Sequence, residues 1–554
     1  MNPNTQNQKS KPHRQAIINV THPMTMTKRT TQGLCAAALP LLAAFAPAVN
    51  SPAAAGRRKS NFLTIMAIAL LALLSTSLHA QKITVLHNFD CSPTDGKVPA
   101  ARLLLSGNTL YGTTSIGGSN NNGTVFSVNT DGTGYRTLYA FGPGNGYYSW
   151  YFNGTNYYHN WDGQNPRAGL TISGDTLYGT TSGGGLPEGG GDVFSINTNG
   201  VGFTVILNFY GPGGGVSPTS DLLLSGDTLY GTCSGGYGGS VFSVQTNGTA
   251  YSNVHWFARN DGNSPPGNWE GFDDPSAGIL MSGDTIYGLT KDSGYHDDMI
   301  ARIFSVNVKT SALTTNFTFT KVNGTFPQGT WPKGPLILSG DTLYGKMSLG
   351  GSNNNGVIFS INTNGSAFTM LHSFSASGGY VPNADGVGPL GALILAGDTL
   401  YGVADGGGLH EGGTIFSIKT NGTGFTTLYN FGGGSAGVSP YGGLVLSGCL
   451  LYGTTSGSSC SGGGVDSAGT VFSFAIAPGI ADFSMAGTSL TLHATNGVAN
   501  CSYTALASTN PALPLNQWMP LATNTLTQAG DFYFNIPRAI DPAASQQFFA
   551  LRAQ

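Results

Sequence analysis

The chain has 554 residues, room for more than one domain, and its 23 Lys+Arg against 26 Asp+Glu give a formal net charge of −3. Only 9% of residues are charged, while aromatics hold at 10% and glycine reaches 84. That balance excludes a disordered chain and an electrostatic nucleic-acid binder, and predicts many short strands joined by tight turns. In chain order, residues 1–80 read as a leader. Arg57, Arg58 and Lys59 precede an apolar run over 62–74, which ends in Ser75-Thr76-Ser77-Leu78-His79-Ala80. A basic start, a short apolar core and a small final residue predict a signal peptide cleaved after Ala80. The run is shorter than the roughly 18–20 residues of a spanning helix, so no membrane anchor is expected after cleavage. A second apolar stretch over 34–49 favours a start codon further into the chain.

From residue 81 one unit repeats. Leu110-Tyr111-Gly112 returns at 177–179, 229–231, 286–288 (with Ile286), 343–345, 400–402 and 451–453. An apolar stretch and a turn precede each copy, and a Val/Ile-Phe-Ser triplet follows, with Phe126, Phe194, Phe242, Phe304, Phe359, Phe416 and Phe472 at its centre. Six copies continue into a last strand ending at Phe141, Phe209, Phe257, Phe319, Phe374 or Phe431. Four strands per unit, seven times over, predict an all-β, seven-bladed β-propeller across 81–477. The seventh copy lacks its last strand, and 83–89 carries the missing pattern. That segment is predicted to pair antiparallel with 470–476, closing the ring and removing the open sheet edges.

The string Leu-Tyr-Gly-Thr-Thr-Ser, a glycine-rich loop and then Gly-Thr-Val-Phe-Ser resembles the Gloeo/Verruco tandem repeat of the choice-of-anchor proteins, over 82 to about 476. The resemblance implies a bacterial protein, secreted or held at the cell surface. Proteins with this repeat usually end in a surface-sorting signal; the ending Leu551-Arg552-Ala553-Gln554 departs from that. The family supplies no catalytic residues. From Pro478 the pattern changes to short alternating strands at 489–495, 501–508, 518–522, 531–536 and 547–551, which predict a small Ig-like β-sandwich over 478–554.

Two loops vary in length between copies: that joining the second and third strands, and that joining one unit to the next. In an up-and-down blade both emerge on one face, and variable loops on a rigid scaffold are the usual seat of binding. The longest insertion, 142–165, holds Trp150, Tyr157 and Trp161 among many aromatics, and the next adds Trp269 and Asp273. Such rings stack on sugar faces while carboxylates bond the hydroxyls; a self-packed loop is the alternative. No catalytic motif is present. The function expected is an exported, non-enzymatic module that binds an extracellular glycan or a surface protein, with no nucleic-acid or membrane partner. A polysaccharide hydrolase or lyase, using a carboxylate pair from Glu270, Asp273 and Asp298, is the alternative, and a structural adhesin is the third. Asp297 and Asp298 are hard-oxygen donors suited to calcium, the one cofactor left open. Of the five cysteines after the leader, Cys91 and Cys460 are expected to meet on the variable-loop face as a disulfide, with Cys449 set aside on the opposite face.

Overall fold

Each repeat folds around a glycine and the ring that covers it. The computed structural model describes residues 83–90, 92–143, 147–152, 155–185, 189–210, 216–235, 239–257, 273–275, 277–292, 300–376, 383–457, 468–510, 512–513, 515–541, 544 and 547–553. Gly112 stands opposite Phe126 on neighbouring strands, and a β-carbon on it would lie 2.5 Å from the Phe126 ring. The same pairing recurs as Gly179/Phe194, Gly231/Phe242, Gly288/Phe304, Gly345/Phe359, Gly402/Phe416 and Gly453/Phe472. The Leu-Tyr-Gly and Val-Phe-Ser motifs are therefore two halves of one contact: the ring occupies the space a side chain would take.

Among the described residues these motifs build seven antiparallel sheets of four or five strands. Sheet one runs Leu104–Ser106, Thr109–Thr114, Thr124–Asn129, Arg136–Ala140. Sheets two to six repeat this order around the strands Thr176–Thr181, Thr228–Gly235, Thr285–Asp292, Thr342–Leu349 and Thr399–Gly406. Sheet seven takes Val445–Ser447, Leu450–Thr455 and Thr470–Ala475 from one end of the chain and Ile83–Asn88 from the other. Ile83 pairs with Phe474 and Asn88 with Thr470, antiparallel, as the sequence requires. In sheets one to six the register slips beside the third-strand phenylalanine, as at Val125/Phe126 and Val193/Phe194, so each fourth strand carries a bulge that increases its twist.

The closing phenylalanine of each sheet packs on the third-strand phenylalanine of the next. The pairs are Phe141–Phe194, Phe209–Phe242, Phe257–Phe304, Phe319–Phe359, Phe374–Phe416, Phe431–Phe472 and, from sheet seven back to sheet one, Phe89–Phe126. Ring centroids lie 4.9–5.5 Å apart, within the range of edge-to-face attraction. All these rings are buried, so each junction gains their apolar burial and about 0.5–1.5 kcal/mol more from ring geometry.

Beyond Ala475 lie two three-stranded sheets. Gly479–Ala486, Ser489–Gly497 and Gly530–Ile536 form one; Met519–Thr525, Ser502–Ser508 and Phe548–Ala553 form the other. The sequence anticipates five of these strands. It misses Gly479–Ala486, whose residues are mostly exposed and give no alternating apolar signal. Leu492 and Phe534 from one sheet, Tyr503 and Leu551 from the other, and Phe474 of sheet seven share a single core. A disulfide joins Cys449, in the turn of sheet seven, to Cys501, with α-carbons 5.1 Å apart. This corrects the expectation that set Cys449 aside: its partner comes from beyond the repeats. Cys91 and Cys460 lie outside the described residues. Among the described residues no helix is long and apolar enough to cross a membrane.

Candidate functional site

A proline precedes the first strand of every unit, and the residue before it is held in the left-handed region at Val98 (φ 56°), Asn165 (54°), Ser217 (55°), Trp331 (61°) and Ser439 (56°). That conformation costs an ordinary side chain roughly 1–2 kcal/mol. A serine three residues beyond the motif glycine secures it by donating to the strained residue's carbonyl: Ser115 to Val98 (3.2 Å), Ser182 to Asn165 (3.0 Å), Ser234 to Ser217 (3.2 Å), Ser348 to Trp331 (2.8 Å) and Ser456 to Ser439 (3.2 Å).

The residues that follow line a cavity of about 900 Å³ to which all seven sheets contribute. Its wall is tight. A β-carbon on Gly334 would stand 2.0 Å from the Gly391 carbonyl oxygen, and one on Gly442 would stand 2.2 Å from that of Ala101. Side chains tie neighbouring sheets at the same level. The Thr113 hydroxyl donates to the Ala168 carbonyl (3.0 Å), the Thr454 hydroxyl to Ala101 (3.5 Å), and the buried Lys346 amine to Leu390. Burial lowers the Lys346 amine to about 7.

The charged residues of the cavity wall are Arg102, Arg167, Lys291 and Lys333 against Asp221 and Asp274, a surplus of two positive charges (four minus two). Arg102 pairs with Asp221 at 3.3 Å, and Asp221 also accepts the Gly169 N–H at 2.6 Å, which fixes its carboxylate. Lys291 stands where other units have the securing serine, and pairs with Asp274 at 3.2 Å. Two amines stand over the Trp331 ring, Lys291 at 5.0 Å and Lys333 at 5.7 Å from its centroid. Lys333 is held below the ordinary lysine value, first by burial, then by Lys291; Asp274 opposes this and Arg167 adds to it. Positive charge from sheets two, four and five thus converges on one space and is only partly neutralised there.

The residues expected from sequence fall elsewhere. Trp150 and Tyr157 are cross-strand partners in the hairpin Tyr147–Phe152/Thr155–His159. Trp161 is 46% exposed with its ring edge toward Phe203 at 6.2 Å, and does not line the cavity. Asp273 pairs with Asp292 in a two-residue strand, and its neighbour Asp274 lines the cavity. Trp269, Glu270, Asp297 and Asp298 lie outside the described residues. Sequence reasoning missed Arg167 and Lys333. Each directly follows the recurring proline where other copies have Ala100, Thr219, Leu390 or Tyr441, and aligning that column exposes them.

No known protein family matches the chain, and no curated protein matches it. Similar solved structures include a polysaccharide lyase described as an ulvan lyase, at 9% identity and TM-score 0.42, over 71% of this chain and 96% of that one. An oligogalacturonate lyase in complex with manganese is similar at 10% identity and TM-score 0.40, over 71% and 96%. A putative 6-phosphogluconolactonase from Bacteroides fragilis is similar at 14% identity and TM-score 0.40, over 80% and 100%. Likenesses of this degree assign neither chemistry nor ligand.

Proposed function

We propose that the protein is an exported binding module: a closed seven-bladed propeller that holds an anionic glycan at the mouth of its central channel, followed by an Ig-like sandwich. The unbroken succession of phenylalanine junctions supports the closed ring, and the two packed three-stranded sheets support the sandwich. One observation carries the binding reading: Arg167, Lys291 and Lys333 line one cavity with a surplus of positive charge, and the two lysine amines stand over the Trp331 ring. A sugar carrying a carboxylate or sulfate would meet cations for its charge and an aromatic face for its C–H bonds. Ser115, Ser234, Lys291 and Ser456, at the ends of second strands, line the cavity, which supports a site on the variable-loop face.

The test is calorimetric titration with an oligogalacturonate and, separately, with a neutral cello-oligosaccharide. Binding of the acidic sugar alone is expected, weakening as salt rises, and falling at least tenfold in Lys333→Ala and in Arg167→Ala. Equal affinity for the neutral sugar, or no loss in either variant, would overturn the charge-based reading. The lowered Lys333 amine favours a second reading, a lyase in which Lys333 as the free base removes the proton beside a uronate carboxylate while the glycosidic oxygen leaves from the adjacent carbon and takes a proton from water. An unsaturated product, detected by ultraviolet absorbance and lost in Lys333→Ala, would decide for it.

A further inference from the structure

Three of the sheets share a corner in which a loop aspartate anchors the end of the fourth strand. Asp95 accepts from His87 (3.1 Å), the Asp90 N–H (3.1 Å), the Gly96 N–H (2.8 Å) and the Tyr135 hydroxyl, so both its oxygens are used. Asp385 accepts from His372 (3.0 Å), the Ser375 N–H (2.9 Å) and the Ser375 hydroxyl, and Asn383 beside it accepts the N–H groups of Asp385 and Gly386. The corner at Asp162 starts the same way: one carboxylate oxygen takes the Tyr139 hydroxyl (2.7 Å) and the Gly142 N–H (2.7 Å).

There the likeness stops. Asp162 Oδ1 has no partner, nor has Oδ1 of Asn160, the counterpart of Asn383, and both residues are wholly buried. The third strand opens on Asp192, where the sister corners have Thr124 and Thr414, and neither of its carboxylate oxygens has a partner although it is also 0% exposed. Where the sister aspartates meet a histidine, Asp162 meets a tyrosine, and among the described residues neither Asp162 nor Asp192 forms an ion pair. Glycines pack against these oxygens, which take the space a side chain would need. A β-carbon on Gly184 would stand 2.2 Å from Asn160 Oδ1, one on Gly185 2.2 Å from Asp192 Oδ1, and one on Gly163 2.7 Å from Asp192 Oδ2.

We propose that Asn160, Asp162 and Asp192 bind one calcium ion. Four unbonded hard oxygens supply part of the six to eight ligands calcium takes, the rest being left to backbone carbonyls and water. The two carboxylates match its charge, and burying them uncompensated would be costly. The ion would clasp the base of the aromatic insertion, where Asn160 Nδ2 (3.1 Å) and Asn122 Nδ2 (2.6 Å) already donate to the Gly142 carbonyl.

The test uses the purified full chain, stripped with EDTA and titrated with calcium chloride while heat and melting temperature are followed. One calcium per chain is expected, with the melting temperature raised by roughly 2–6 °C at saturation. Asp192→Thr installs the residue of the sister corners; it should fold, bind no calcium there and show no rise. A stripped wild type that takes up no calcium and gains no thermal stability would overturn the proposal, and that titration decides even if the variant misfolds. So would an Asp192→Thr variant that keeps both responses.

Discussion

The two sides of the cavity wall are built from one repeat and do different things with it. Around sheets seven, one and two the residue after the motif glycine is threonine, and in sheets seven and one its hydroxyl simply fastens a sheet to its neighbour's carbonyl. Around sheets four and five the same columns hold Lys346 in place of that threonine, Lys291 in place of the securing serine, and Lys333 after the proline. The threonines of sheets seven and one spend their hydroxyls on tying sheet to sheet; Lys333, with Arg167 of sheet two, leaves charge over. In a molecule assembled from copies, chemistry is to be sought where a copy breaks the pattern of the others.

That contrast can be broken most severely where sheets five and six touch. Gly334→Ala drives a β-carbon into the Gly391 carbonyl and should cost about 2–4 kcal/mol in a denaturant titration. Gly340→Ala, in an open turn with φ +58°, should cost about 1 kcal/mol. Equal costs would mean that the ring contact carries little of the stability.

Lys346 sharpens the contrast with the threonines. Its folded value of about 7 lies below the ordinary 10.5, so between those values the unfolded chain binds a proton that the folded chain does not. Stability contributed at this site therefore rises as pH rises from about 7 to 10.5, and is lowest below 7. Lys346→Met should abolish that rise and stabilise the fold by roughly 1–3 kcal/mol near neutral pH. A variant less stable than wild type would mean that the amine bond to Leu390 outweighs the burial of the charge.

Lys333 should make binding itself depend on pH. Affinity for an acidic oligosaccharide should fall several-fold as pH rises through the lowered lysine value toward 10.5, because the amine loses its charge. Lys333→Arg should keep the affinity and lose the dependence. A wild-type affinity flat over that range would place the anion elsewhere. The smallest effect is expected at Trp161, exposed and off the cavity wall: Trp161→Ala should change stability by no more than about 0.5 kcal/mol and leave this affinity unchanged.

The scaffold was legible because its signals are local and repeated. The pairing of 83–88 with 470–474 could be read from one missing strand at one end and one spare at the other. The cavity was not legible by the same route. Aromatic density drew attention to Trp150, Tyr157 and Trp161, whereas the convergent charge comes from single residues in sheets two, four and five. Folding brings Arg167 within electrostatic reach of Lys333, 166 positions away in the chain. The Cys449–Cys501 bond was hidden for a related reason. It crosses from the repeats into the following module, whereas Cys449 was weighed only against the cysteines of the repeats and set aside on the opposite face.

That bond makes the last sheet and the module behind it resistant to being cut apart. Cys449 and Cys501 are 52 positions apart, and the strands Leu450–Thr455 and Thr470–Ala475 of sheet seven lie between them. A protease that severs the chain once anywhere in that interval releases nothing. Both fragments stay joined through sulfur and run as one species on a gel until a reductant is added.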